Sequence, residues 1–169
     1  VNGNASAMNI YAFELSQIDP ENEDISKYYK LAIEKGSHEA MNNYAKLITS
    51  SNPTKEEIEE ASKLYQMAID KGNIIAIHNY ACLLLNTNNK IKAASLFKQA
   101  IDKGINQSIL FYADMLRKGD GIPVDINEAI RYYKIAIGKG YIESMISYGL
   151  LLKNGEGVDV DYKQAVKFF

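Results

Sequence analysis

One pentapeptide, Ala-Ile-x-Lys-Gly, recurs four times in 169 residues and constrains the fold more than any other feature. It stands at Ala32–Gly36, Ala68–Gly72, Ala100–Gly104 and Ala136–Gly140, so the glycines are spaced 36, 32 and 36 residues apart. A period of this length is the mark of one supersecondary unit stacked on copies of itself. Other positions keep the register. The fourth residue after each glycine is small: Ala40, Ala76, Ser108 and Ser144. The eighth is Tyr44, Tyr80, Tyr112 or Tyr148, the ninth Ala45, Ala81, Ala113 or Gly149, and the twelfth Ile48, Leu84, Leu116 or Leu152. Gly3 opens an earlier copy with Ala7, Tyr11, Ala12 and Leu15 at the same offsets. Ala165 and Phe168-Phe169 stand where Ala129 and Tyr132-Tyr133 stand one repeat before. The chain therefore reads as a single domain, 1–169, of five repeats with borders near 3–35, 36–71, 72–103, 104–139 and 140–169, the last one truncated.

Each repeat predicts two helices. Offsets of four, eight, nine and twelve share one face of a 3.6-residue helix. The second helix carries Ala129, Tyr132, Tyr133, Ala136 and Ile137 in the fourth repeat, again one stripe. The glycine that follows suits a left-handed C-cap, and the lysine before it faces the negative end of the helix dipole. Small residues opposite bulky ones let paired helices approach closely. Thr54 with Glu57, Asp161 with Gln164 and Asp125 with Glu128 have the spacing of helix-start caps. The fourth and fifth repeats place Gly119-Asp120-Gly121 and Gly155-Glu156-Gly157 between their helices; the earlier repeats lack this loop.

Taken together, small-x-x-x-bulky-Gly/Ala, Gly-x-Gly-Val/Ile, Asp and Ala-x-x-Tyr-Tyr-x-x-Ala-x-x-x-Gly resemble the Sel1-like repeat, a relative of the tetratricopeptide repeat. The match runs through Gly119–Gly140 and through Ser144–Leu152 with Gly155–Phe169, and the first three repeats depart from it in their loops. The resemblance implies an all-α, right-handed superhelix, or solenoid, of helix pairs. It also implies an adaptor role of the kind such proteins play in signalling, protein quality control and bacterial–host contact. The secreted branch of that family pairs cysteines within its repeats; this chain has one cysteine, Cys82.

Composition narrows the function. A net charge of -2 and a pI near 5.7 argue against a general nucleic-acid binder. No apolar run is long enough to span a bilayer, and no basic-then-apolar leader opens the chain, so the cytoplasm is the expected compartment. The charge is uneven: residues 1–84 hold 12 acidic and 7 basic side chains, and residues 85–169 hold 9 and 12. Such a bias can orient a charged partner.

Catalytic and metal constellations are weak. His78 and Cys82 share a helix face, and Asp114 is placed near them by register, but no further ligand or oxyanion site accompanies them. The Gly-x-Gly loops follow no strand and read as turns, their acids as solvated. Ser95-Leu96-Phe97-Lys98 spells a penicillin-enzyme motif by chance, since Phe97 is a core position. The expectation is a non-enzyme with no cofactor and no metal.

What remains is the first-helix face not spent on packing. In tetratricopeptide-like proteins these helices line a groove, and the register assigns it Asn9 and Phe13; Asn42, Asn43 and Lys46; His78, Asn79 and Cys82; Leu110, Phe111, Asp114 and Arg117; and Ile146 and Leu150. Asn43 and Asn79 share an offset, and an amide both donates to and accepts from a peptide backbone. Leu110, Phe111, Ile146 and Leu150 form an apolar patch of the kind that marks partner sites. The predicted function is a scaffold that holds a peptide or protein in this groove. The alternative is a regulatory module of a larger enzyme with its catalytic domain elsewhere. The chain stops inside a second helix, which predicts a fragment of a longer array or a trimmed domain, with raw ends able to self-associate.

Overall fold

In a computed structural model, residues 4–168 are described; Gly3 and Phe169, which the register uses, lie outside them. The described residues form ten α-helices and a closing 3-10 turn, with no strand among them. The helices are α1 (Ala5–Ile18), α2 (Asp24–Glu34), α3 (His38–Ile48), α4 (Lys55–Asp70), α5 (Ile74–Asn86), α6 (Lys90–Asp102), α7 (Ser108–Lys118), α8 (Ile126–Gly138), α9 (Ile142–Asn154) and α10 (Tyr162–Ala165). They gather into two compact units, one running to Leu83 and one beginning at Leu84, so the border falls within α5.

The recurring pentapeptide ends four of these helices in one way. Gly36, Gly72, Gly104 and Gly140 all have φ between +85° and +91°. The residue after each glycine donates its N–H to the alanine five positions back, Ser37 to Ala32 and Tyr141 to Ala136 for example. This is the Schellman closure, which returns partners to carbonyls that the helix end leaves orphaned. Helix starts follow their caps. Thr54 and Glu57 form a reciprocal capping box on α4. Asp125 accepts from the Glu128 N–H, while the Glu128 carboxylate turns to Arg131.

In the first unit α1 packs on α2, α2 on α3, and α3 on α4. Its core sets Ala12, Ala40, Ala45 and Ala68 against Tyr29, Tyr44, Tyr65 and Tyr80, all buried. Tyr29 lies against Tyr44 and Tyr65 stacks on Tyr80, which couples each second helix to the next first helix. In the second unit α6, α7, α8, α9 and α10 pack in sequence around Ala113, Ala129, Tyr132, Tyr133 and Leu151. The core stripe is less uniform than the register suggests: Tyr11 is 41% exposed, whereas Tyr44 and Tyr80 are buried.

A second regularity lies inside each hairpin. The bulky residue seven positions before the repeat glycine brings its ring end to the last turn of its own first helix. Tyr29 meets Ser16 there, and Tyr65 meets Thr49. Tyr133 receives a hydrogen bond from Arg117 Nε at 3.3 Å and donates its own hydroxyl proton to Asp114. Burial pushes the Tyr65 hydroxyl up to about 12, against a smaller downward pull from Thr49. Where the tyrosine is replaced by Phe97, the last-turn position is occupied by Leu85, so both sides lose their polar group together.

The Gly-x-Gly loops do more than turn. Gly119 and Gly155 are left-handed C-caps of α7 and α9. Gly121, at φ +77°, sits so close to the start of α6 that a Cβ would fall 2.4 Å from the Lys90 carbonyl carbon. Gly157 rests in the same way on Ile126 at the start of α8, 2.7 Å from a side-chain carbon. The acid between each pair of glycines then reaches back one repeat: Asp120 pairs with Lys90 at 2.6 Å, and Glu156 with Arg117 at 2.6 Å. These two acids are structural ties and not the freely solvated groups expected from sequence.

Candidate partner-binding groove

The first unit brings four asparagines from three helices into one hydrogen-bonded line. Asn79 on α5 donates Nδ2 to Asn42 Oδ1 at 2.8 Å. Asn42 donates to Asn43 Oδ1 at 3.1 Å, and Asn43 donates to Asn9 Oδ1 on α1 at 3.1 Å. The donors all run in the same sense, from α5 through α3 to α1. Each amide has two N–H donors and two acceptor lone pairs, so every member keeps capacity beyond the line itself. Aligned dipoles of this kind polarise one another, strengthening the free acceptor at the Asn79 end and the free donor at the Asn9 end.

This line borders a cavity of about 480 Å³. Five of the residues assigned to the groove from sequence line it together: Phe13, Asn42, Asn43, Lys46 and Asn79. Lys46 is the one charged side chain among the described lining residues, and it is exposed. Phe13, 45% exposed, offers an apolar platform, joined by Leu47 and Ile75. Leu47 and Ile75 were not legible as site residues: Leu47 sits one position past Lys46, and Ile75 sits three positions before His78, outside the offsets assigned to the groove. Asn9 is half-buried and Asn42 is 7% exposed, so these two serve the site through the line more than through direct access.

His78 and Cys82 lie on the same unit, with Sγ and Nε2 3.6 Å apart. Burial pushes the thiol up to about 11 and lowers the imidazole below its ordinary value. Both groups are therefore neutral at pH 7, and a neutral thiol beside a neutral imidazole is a poor nucleophile. No group of three or more His, Cys, Asp or Glu side chains is placed to hold a metal among the described residues.

In the second unit the remaining candidates divide. Asp114 and Arg117 belong to the tie described above, with Tyr133, Glu156 and, through Glu156, Asn154. Arg117 holds the Glu156 carboxyl below the usual range, helped by Asn154. Phe111 stacks on Phe97 with ring centres 5.1 Å apart and keeps an exposed edge. Leu110 is half-buried, while Ile146 and Leu150 stand exposed on one face of α9.

No helix of the described residues is long and apolar enough to cross a membrane. Among solved structures, a Sel1 repeat protein from Oxalobacter formigenes superposes with a TM-score of 0.79 at 22% identity, over 98% of this chain and 69% of that one. A protective antigen of uropathogenic Escherichia coli strains, displaying an SLR fold, gives 0.85 at 22% identity, over 98% of this chain and 37% of that one. The tetratricopeptide protein YrrB, described as having an unusual peptide-binding site, gives 0.67 at 16% identity, over 98% of this chain and 83% of that one. At these identities the likeness concerns the fold, which is the all-α helical-repeat class. No curated protein sequence matches the chain significantly. The Sel1 repeat profile matches residues 38–73, 76–105, 107–141 and 142–169, well over half the sequence. On that match, the chain belongs to the Sel1 repeat family.

Proposed function

We propose that the chain is a non-catalytic interaction scaffold, and that its first unit holds an extended peptide segment of a protein partner along the asparagine line. The observation that carries this reading is the line itself: four amides with unspent donors and acceptors, three of which, Asn42, Asn43 and Asn79, line a cavity of about 480 Å³. A peptide backbone alternates N–H and C=O, and side-chain amides satisfy both without selecting for sequence. Phe13 and Ile75 supply apolar contact for a side chain of the peptide, and Lys46 favours an acidic neighbour. A fold neighbour described as a peptide-binding tetratricopeptide protein supports the same class of partner.

The test is selection from a random peptide library displayed on phage, followed by fluorescence anisotropy with the selected peptide. Asn79→Ala and Lys46→Ala are each expected to weaken binding by about tenfold, equivalent to 1.4 kcal/mol. Leu150→Asp, on the second unit, is expected to leave binding unchanged. Loss of binding in Leu150→Asp with retention in Asn79→Ala would move the site off the asparagine line. Circular dichroism checks that each variant folds.

A further inference from the structure

The asparagine line is one of two rows that cross the first helices of the first unit. Asn43 and Asn79 stand seven residues after their repeat glycines, and Phe13 and Lys46 stand ten after theirs. Three residues span about 4.5 Å along a helix axis, so the rows run side by side, less than one turn apart. All four residues line the same cavity. The first row is neutral amide. The second is an exposed aromatic ring on α1 beside an exposed ammonium on α3.

That ammonium is uncompensated. Lys27 and Lys55 each have a carboxylate partner on their own helix. Lys46 has Asn42, Asn43, Thr49 and Ser50 at three and four residues to either side, none of them acidic. Its Nζ pairs with no carboxylate among the described residues, and the other described lining residues of the cavity are neutral. The complementary group on a partner is therefore a carboxylate.

Spacing then decides the partner's conformation. Asn43 bonds Asn9 directly, so α1 and α3 are packed neighbours, which places their axes about 8–10 Å apart. A β-strand returns a side chain to one face every about 6.7 Å, which falls short, and its second return at about 13 Å overshoots. A polyproline II helix returns one every three residues, about 9.3 Å, which spans the gap. Its N–H and C=O groups make no internal hydrogen bonds and stay open to the amide row.

We infer that the groove takes an internal polyproline II segment of its partner in which an acidic and a large apolar residue stand three apart, an inference that rests on the peptide reading of the asparagine line. The side-chain carboxylate sits on Lys46, the apolar side chain on Phe13, and the backbone between them on the amide row.

Selection from a random dodecapeptide library, fused to phage coat protein through the peptide C-terminus, tests this, because such peptides present no free terminal carboxylate. The native chain is expected to enrich Asp or Glu three residues from Leu, Ile, Phe or Tyr. Lys46→Glu is expected to replace that acid by Lys or Arg at the same spacing, and Phe13→Ala to keep the acid and lose the apolar preference. In anisotropy with the enriched peptide, amidated at its C-terminus, changing its acid to the amide is expected to weaken binding about tenfold on the native chain and less than about twofold on Lys46→Ala. Pro-Pro between the two anchors is expected to preserve binding, and one inserted residue to weaken it about tenfold. Enriched peptides whose acid and apolar residue stand two apart, or whose acid survives Lys46→Glu, overturn the inference. Peptides that lose affinity on Asn79→Ala yet carry no acid overturn it too, and leave the scaffold reading standing. Peptides indifferent to Asn79→Ala, or no enrichment at all, overturn both. The substituted residues Lys46 and Phe13 are exposed, and circular dichroism confirms that the variants fold.

Discussion

The two units tie the same helix hairpins together with opposite chemistry. In the first, neutral amides cross from helix to helix through Asn9, Asn43, Asn42 and Asn79. In the second, charged groups do it through Asp120 with Lys90 and through Arg117 with Asp114, Tyr133 and Glu156. The tyrosine seven positions before the repeat glycine shows the contrast at one site. Tyr65 meets the Thr49 hydroxyl, whereas Tyr133 meets a carboxylate and a guanidinium. The repeat frame fixes where such groups meet and leaves their chemistry free. A neutral tie leaves unspent polar capacity at a surface, and an ionic tie consumes it. That difference is why the groove is assigned to the first unit.

The largest effect expected concerns a loop that only the second unit possesses. Gly121→Ala adds a Cβ at 2.4 Å from backbone in a left-handed conformation. Overpacking against backbone together with the conformational penalty predicts a loss of about 3 kcal/mol or more in urea denaturation. Gly104→Ala, with φ +87° and open space around it, isolates the conformational part and is expected to cost about 1–2 kcal/mol. Equal losses at the two positions would show that the loop does not press on α6.

Next in size is Asn42→Ala, which removes the middle of the amide line and strands a donor on Asn79 and an acceptor on Asn43. A loss of about 1–2 kcal/mol is expected, unchanged between low and high salt. Arg117→Ala in the second unit is expected to cost about 1 kcal/mol, less at high salt, because the pair is partly exposed. The pH dependence sharpens this contrast. The Glu156 carboxyl lies below its ordinary value in the folded chain. Its contribution is present above the ordinary carboxylate pKa, about 4.3, and is lost as pH falls through the depressed folded value. Hydrogen exchange as the pH falls below about 4.3 should therefore loosen α7 and α8 before α1. Simultaneous loosening would contradict the assignment of the two ties.

The smallest effect runs the other way. Ser144 is fully buried and its hydroxyl is one of the buried polar atoms without a partner among the described residues. Ala40 and Ala76 occupy the same register position. Ser144→Ala is expected to be neutral or to raise stability by up to about 1 kcal/mol. A clear loss would mean that the hydroxyl is satisfied in solution.

The helices, their Schellman ends and the small-against-bulky core were legible because they depend on residues close together in one repeat. Ala32 through Ser37 carries all the information its closure needs. The asparagine line was only half legible. Sequence register aligned Asn43 with Asn79 as equals, but the contact runs diagonally from Asn79 to Asn42, and that stagger comes from the packing of α3 on its neighbours. Asp114 and Arg117 were legible as first-helix surface residues and not as members of a tie. A helical face says where a side chain leaves the backbone; it does not say that Arg117 is long enough to reach Glu156 in a loop 39 residues on. Glu156 itself looks like any loop acid until the left-handed turns at Gly155 and Gly157 aim it back at α7.

The side-chain amides themselves report whether a peptide partner engages the asparagine line of the first unit. The most direct measurement is side-chain amide NMR of the uniformly ¹⁵N-labelled chain during titration with a selected peptide. Saturable shifts of the Asn43 and Asn79 NH₂ resonances, with the α7 and α9 backbone amides unmoved, are the predicted result. Unmoved asparagine amides with shifts centred on Leu110, Phe111 and Leu150 would contradict it.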